Sequence, residues 1–362
     1  MAIPIRTAFA RSGAWHARLV LLVAALVTAG LIAIAFSPIA QSNYDPQRAR
    51  PGDVELYQAE VSRIHAGENY HDVAAGELRQ RGYPTASVFN WRTPLPMWLI
   101  AQMPDPAMGK ALLCLLALAT LGVGFEAIAR DAHGRIGPAV LTIVLLSGPL
   151  LFCALAGLFV MPVLWAGVLI ALSVACYGVE RPGWGVAFGL AAIFVRELAM
   201  PYVAVCVVMA IWQRQPRELT AWIVGLAAFA VFYGLHAWVV MQRIGPTDIA
   251  HDEGWLQLGG AAFLLSTTQM NAYLLLLPQW VAALYLAAAL LGLAGWDSPL
   301  GHRCALATSA FIVAFALIGQ PFNQYWGSLT APLICFGVAR VPWTLRDLGR
   351  AALPRRVRQY AW

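Results

Sequence analysis

The chain has 362 residues, of which 60% are hydrophobic and only 12% are charged. Several apolar runs approach or exceed the roughly 20 residues that an α-helix needs to cross a bilayer. This composition excludes an ordinary soluble domain and indicates a membrane protein. The net charge of +6 does not favour a nucleic-acid partner, because the basic residues gather at the ends of apolar runs and not in an aromatic-rich patch.

Helices are the spanning structure that the sequence predicts. Backbone groups cannot stay unpaired in lipid, and the apolar runs lack the strict alternation of barrel strands. We therefore expect an all-α polytopic bundle of about ten transmembrane helices in one integral membrane domain, residues 1–362. The predicted crossings are residues 19–39, 108–129, 137–156, 159–179, 184–197, 200–212, 219–241, 273–295, 304–320 and 326–341.

The first apolar run also resembles a signal peptide. Arg6, Arg11 and Arg18 precede it, and Ser37 to Ala40 is similar to a cleavage site. The run over residues 19–39 is longer than the usual apolar region of a signal peptide, so we expect a retained anchor.

The distribution of charge predicts an orientation. Ten crossings place both ends on one side, and that side collects most arginines, including a basic tail over residues 342–362, as expected for the cytoplasm. The polar segment 40–107 then lies outside, and so does 242–272, where we expect a loop with an interfacial or re-entrant helix. Residues 184–212 form either two short crossings or a helical hairpin that reaches the outer surface only at its tip.

The outer segment 40–107 is expected to contain two helices. Apolar residues at helical spacing predict an amphipathic helix over residues 54–66, and a second helix is expected from Asp72 to Arg81, ended by Gly82. In the first helix Val54, Tyr57, Val61 and Ile64 share one face, while Glu55, Gln58 and Glu60 are expected to point elsewhere.

Groups able to do chemistry fall on this predicted outer face. A carboxylate can take the proton from an attacking hydroxyl, guanidinium groups can neutralise a departing phosphate, and aromatic rings can stack on sugars. This mixture suits transfer of a group from a phosphorylated lipid. The residues are Asp53, Glu55, Tyr57, Glu68, Tyr70, His71 and Asp72, then Trp91 and Arg92, and finally Arg196, Glu197, Asn323, Tyr325 and Trp326.

Structural roles for the same residues stay open. Asp53 precedes a helical pattern and could cap the helix, and Arg196 with Glu197 could be an ion pair that stabilises a hairpin. Trp91 and Trp326 could belong to an interfacial aromatic belt.

Metal ligands are not indicated by spacing. The six cysteines lie in or beside apolar runs without a CxxC pair, and neither His71-Asp72 nor His251-Asp252-Glu253 has the spacing of a transition-metal site. A loosely held Mg²⁺ or Mn²⁺ stays compatible with the sequence.

The order of these features resembles the GT-C-fold membrane glycosyltransferases, which use polyprenyl-phosphate sugars as donors. The similar segments are Gly52 to Tyr57 with its Asp-x-x-x-Tyr pattern, Ala66 to Tyr70 with Gly-x-x-Tyr, Gly82-Tyr83-Pro84, Phe89 to Pro94, Arg196 to Tyr202 and Asn323 to Gly327. The chain departs from members that carry two adjacent acidic residues, because Val54 separates Asp53 from Glu55.

The resemblance implies an inverting transfer with Asp53 as general base and with Arg92 and Arg196 as candidates for the donor phosphate. It implies a polyprenyl-phosphate sugar donor, a lipid-linked or cell-surface glycan acceptor, membrane lipids as surroundings, and no required cofactor. The implied location is the bacterial cytoplasmic membrane, with both termini cytoplasmic and an extracytoplasmic active site. Expected sugar and acceptor contacts are Glu55, Tyr57, Tyr70, Trp91, Glu197, Asn323, Tyr325 and Trp326.

Two rival functions stay open. A transporter or flippase for lipid-linked sugars would bind a headgroup with the same arginines and aromatics, and a subunit of a polysaccharide-export complex would have no catalytic role. Polar residues gather at one surface and not along the middle of the crossings, which favours the enzyme.

Overall fold

A computed structural model describes residues 7–37, 52–155, 157–250 and 257–353, and these residues form helices and loops without a strand. The predicted all-α class is confirmed. The α-helices are α1 (Ala14–Ala35), α2 (Gly52–His65), α3 (Tyr70–Gln80), α4 (Leu95–Ala101), α5 (Met108–Asp131), α6 (Ile136–Leu150), α7 (Pro162–Gly178), α8 (Pro182–Val195), α9 (Met200–Trp212), α10 (Pro216–Met241), α11 (Gly260–Thr268), α12 (Gln279–Ala294), α13 (Pro299–Ile318) and α14 (Ala331–Ala352). Short 3-10 segments occupy Ala8–Arg11, Val88–Asn90, Leu151–Ala154, Leu158–Val160, Glu197–Ala199 and Pro321–Leu329.

Five helical segments of the described chain are long and apolar enough to cross a membrane: α1, α5, α6 with its extension to Ala154, α10 and α13. A sixth is available if Pro321–Leu329 and α14, which meet at a bend of 66°, count as one span. Helices α7, α8, α9 and α12 are apolar but shorter. These lengths fit a membrane protein with five or more crossings.

Helix α7 forms the centre of the bundle. Every residue from Pro162 to Cys176 is buried, as expected for a helix that is apolar all round. It packs against α5, α8 and the Pro321–Leu329 segment. Gly167 permits the last of these contacts, because a Cβ at this position would collide with the carbonyl oxygen of Ser328. The central helix therefore fixes the position of the Pro321–Leu329 segment.

The bundle has two polar ends. One end carries α2, α3, α4 and the junction between α8 and α9. We call it the site end, because most of the predicted site residues lie there. At the opposite end, Asp131 Oδ2 accepts hydrogen bonds from Trp296 Nε1 at 2.9 Å and from Arg340. The two ends of the described chain also meet there, where the backbone N–H of Thr7 donates to Asp347 Oδ2 at 3.0 Å.

The two helices of the first polar segment match their predicted positions to within two residues. Helix α3 begins after Asn69, whose side-chain oxygen accepts from the backbone N–H of His71. One orientation was wrong: Glu60, expected on the polar face of α2, is buried. It lies three residues after Tyr57 and four before Ile64, so helical geometry puts it on their face.

The segment 242–272 contains a short helix, as expected. Helix α11 has nine residues, too few to span a bilayer. The preceding loop packs on the first polar segment, where Asp248 accepts hydrogen bonds from Arg79 Nε at 2.7 Å and from the Thr85 hydroxyl at 2.7 Å. Arg79 holds the pKa of Asp248 below its usual range. His251, Asp252 and Glu253 lie outside the described residues.

The last helix runs past the end of the predicted crossing 326–341 and into the segment that the sequence predicts as a basic tail, residues 342–362. Helix α14 continues through Pro342 to Ala352. Leu348 and Ala351 form a small apolar cluster with Phe9 and Ala17 near the start of the chain. This packing accompanies the part of α14 that lies beyond the predicted crossing.

Candidate functional site

Asp53 lies in the first turn of α2 and is held by a tyrosine. The hydroxyl of Tyr83 donates to Asp53 Oδ1 at 2.7 Å. Gly52 makes room for this contact, because a Cβ there would collide with the Tyr83 hydroxyl oxygen. Burial, together with the charge of Asp53, raises the pKa of Tyr83 above its usual range, so the hydroxyl remains a donor. Because α2 begins at Gly52, Asp53 lies inside the helix and not at the capping position that the sequence left open.

Arg92 is held between α2 and α3 by two tyrosines. Its Nε donates to the hydroxyl oxygen of Tyr57 at 2.9 Å, and the hydroxyl of Tyr70 donates to its carbonyl oxygen at 2.6 Å. Because Tyr57 accepts from Arg92, its own hydroxyl proton stays available for a ligand. Burial raises the pKa of Tyr57, although Arg92 opposes the shift, so this hydroxyl is protonated at neutral pH.

Arg196 lies at the junction of α8 and α9, in extended backbone with φ −150° and ψ 115°. Its side chain is 2% exposed, with Nη1 at 3.0 Å from Glu197 Oε1. Its Nε has no hydrogen-bond partner among the described residues. A buried guanidinium with a spare donor is costly unless a ligand accepts from it, so Arg196 is suited to bind an anion.

Five predicted site residues come together at the site end. Arg92 Nε bonds to the Tyr57 hydroxyl, and Asp53, Arg196 and Tyr325 are near enough for their charges to influence the pKa of Tyr57. We refer to these five residues as the site cluster. They come from α2, the segment before α4, the α8–α9 junction and the Pro321–Leu329 segment, which are far apart in the sequence.

Two tryptophans expected to contact sugar belong to the packed interior. Trp91 is 2% exposed and donates from Nε1 to the carbonyl oxygen of Thr85 at 3.1 Å. Trp326 is buried with its ring at 6.0 Å from that of Phe263 and 5.9 Å from that of Phe315. The geometry does not support sugar stacking by either ring.

The remaining predicted residues differ in their exposure to solvent. Glu55 is exposed, 3.9 Å from Arg81 across the surface of the first polar segment. Tyr70 is buried and positions Arg92. Glu197 is half-buried beside Arg196, whereas Asn323 is buried in the Pro321–Leu329 segment.

Glu60 is a site residue that sequence reasoning missed. It is 2% exposed, and its Oε2 has no hydrogen-bond partner in the described part of the chain. Burial raises the pKa of Glu60 to about 8, with Arg92 opposing the shift. The available signal was spacing: Glu60 follows Asp53 by seven residues, which is two helical turns.

No group of three His, Cys, Asp or Glu side chains in the described ranges is arranged to hold a metal ion. His71 pairs with another histidine, since its Nε2 lies 3.2 Å from His236 Nδ1. Asp72 accepts from Arg243 Nη2 at 2.9 Å. These contacts give His71 and Asp72 a role in joining α3 to α10 and to the loop that follows it.

Comparison of the chain with protein-family models, with curated proteins and with solved structures finds no match.

Proposed function

We propose that the chain is an integral membrane glycosyltransferase that moves a sugar from a polyprenyl-phosphate donor to a lipid-linked or cell-surface glycan. The proposal rests on the site cluster: a carboxylate, two arginines and two tyrosines meet at one end of an apolar helical bundle. We also propose that the chain has a GT-C-like fold with about ten membrane crossings.

Arg92 and Arg196 would bind the donor phosphate. Arg196 offers a buried donor without a protein partner, and Arg92 is held by Tyr57 and Tyr70. Positive groups fixed in a dry site stabilise the negative charge that grows on the phosphate as its bond to the sugar breaks. The hydroxyl of Tyr57 can add a neutral hydrogen bond.

Asp53 would act as the general base. It takes the proton of the acceptor hydroxyl while that oxygen forms a bond to the anomeric carbon. The bond from this carbon to the phosphate oxygen breaks on the opposite face, so the configuration inverts and polyprenyl phosphate leaves as an anion. Tyr83 holds Oδ1 of Asp53, which leaves Oδ2 for the acceptor.

The proposed location is the bacterial cytoplasmic membrane, with the site end outside and both termini in the cytoplasm. The two ends of the described chain meet at the opposite end of the bundle, near Arg340 and Arg346. A basic end of this kind favours the cytoplasmic side.

The test is transfer of radiolabelled sugar from a panel of short-chain polyprenyl-phosphate donors by the purified protein. Asp53→Asn should bind donor normally and lose transfer by about 10²–10⁴-fold, the usual contribution of a general base. Asp105→Asn is the matched control, because Asp105 is an exposed carboxylate outside the site cluster.

Full transfer by Asp53→Asn would remove Asp53 from the mechanism. Donor binding by the wild-type protein without transfer in any reaction would instead favour a transporter of lipid-linked sugars.

A further inference from the structure

Glu60 is a buried carboxyl group that the proposed transfer does not use. Its side chain lies on the face of α2 that carries Asp53 and Tyr57, and 2% of the residue is exposed. Its Oε2 finds no hydrogen-bond partner among the described residues. An ionised carboxylate in such surroundings loses hydration without gaining a hydrogen bond, so the protonated form is favoured.

The charges around Glu60 act in both directions. Arg92 is the strongest cationic influence and favours ionisation, with a smaller effect from Arg81. Glu77 and Asp53 oppose ionisation. Helix α4 also packs on α2 but carries no ionisable side chain. The ionisable groups that face Glu60 are Arg92 before α4, Glu77, Arg81 and Tyr70 from α3 and its end, and Asp53 on α2 itself.

Glu77 does not supply a free negative charge against Arg92. Its Oε1 accepts from Arg63 Nη1 at 3.0 Å, and its Oε2 lies 3.3 Å from Arg81 Nε. Glu60 differs from Glu77 in this respect. Its buried carboxyl group interacts with Arg92 but has no ion-pair partner of its own among the described residues.

We propose that Glu60 is a positioning residue that holds a proton at neutral pH and so leaves the charge of Arg92 free for the phosphate of a lipid-linked ligand. This inference rests on the proposed function. Ionised Glu60 would partly neutralise Arg92 and weaken its attraction for a phosphate. Binding of the anion and retention of the proton are then linked, so each favours the other.

The linkage fixes the direction of the pH dependence. Burial raises the pKa of Glu60 to about 8, so the group is neutral below that pH and ionised above it. Affinity for an anionic ligand should therefore be high at neutral pH and fall as the pH rises through about 8. Bound phosphate should move this fall to higher pH.

The probe is a short-chain polyprenyl methyl phosphate, a phosphodiester that lacks a sugar and keeps one negative charge. Its Kd is measured on the purified full-length protein from about pH 6 to about pH 10, a range that brackets the shifted carboxyl group. We expect the wild-type affinity to fall roughly tenfold across this range, because ionised Glu60 adds a negative charge near the bound phosphate. Glu60→Gln should bind tightly throughout.

The matched control is Glu126→Gln on α5. It makes the same chemical change in an exposed ion pair with Arg130. It should keep the wild-type fall. A flat wild-type profile, or a fall that persists in Glu60→Gln, would overturn the inference and leave the proposed function standing. Absence of binding at every pH would contradict both.

A second readout does not depend on the folding of Glu60→Gln. The infrared carbonyl band of a protonated carboxyl group should be present in the wild-type protein at neutral pH, should disappear as the pH rises through about 8, and should persist to higher pH when the probe is bound. A wild-type protein without this band at neutral pH would overturn the inference.

Discussion

Tyrosine hydroxyls position the charged groups of the site cluster. Tyr83 orients Asp53, while Tyr57 and Tyr70 hold the side chain and the backbone of Arg92. A neutral hydroxyl can fix the direction of a charged group without cancelling its charge. This matters most at Arg92, since an acidic partner there would compete with a phosphate ligand.

Removing the Tyr83 hydroxyl should slow transfer while donor binding is kept. We expect Tyr83→Phe to lower the rate about fivefold, because loss of a hydrogen bond worth ~1 kcal/mol lets Asp53 rotate away from the acceptor. Single-turnover transfer measures this effect. Tyr273→Phe is the control, because the Tyr273 hydroxyl bonds to Ser147 at 2.6 Å outside the site cluster. Equal rates in Tyr83→Phe and the wild type would show that Asp53 needs no such support.

The sequence predicted the positions of some site residues better than those of others. Asp53, Arg92 and Arg196 were expected on one side from the order of apolar runs alone, and they do come together. Glu60 was missed because an acidic residue was expected on the polar face. Trp91 was expected near the surface, but it is buried and its Nε1 donates to the carbonyl oxygen of Thr85.

Among the elements, α7 determines where the Pro321–Leu329 segment lies. Gly167 brings the two backbones together, and the segment then delivers Tyr325 to the site cluster. The short helices of the first polar segment could be predicted because their periodicity is local. The extension of α14 could not, because it depends on packing between residues more than 300 positions apart, such as Phe9 and Leu348.

A methyl group at Gly167 should disturb the site from inside the bundle. Gly167→Ala forces the Ser328 carbonyl away, and overpacking of this kind typically costs about 1–3 kcal/mol. We expect a lower thermal midpoint and a roughly tenfold loss of transfer as Tyr325 shifts. Gly122→Ala on α5 is the control, since a Cβ there meets open space. Unchanged transfer in Gly167→Ala would separate Tyr325 from the reaction.

At the scale of the whole molecule, the site end and the opposite end should face different compartments. The six native cysteines are buried or half-buried, which leaves a low background for labelling. An impermeant maleimide should label Asp105→Cys in spheroplasts, and should label Gln213→Cys only after the membrane is permeabilised. The reverse pattern would place the site cluster in the cytoplasm and contradict the proposed orientation.

The length of α7 has a consequence for how a ligand arrives. Its 17 residues extend about 25 Å, less than the roughly 30 Å of hydrocarbon in a typical bilayer. If the bundle spans the membrane around so short a central helix, at least one end of that helix lies below the lipid headgroups. Under the proposed function, a long isoprenoid would then bring its phosphate to the site sideways from the leaflet while its tail stays in the hydrocarbon.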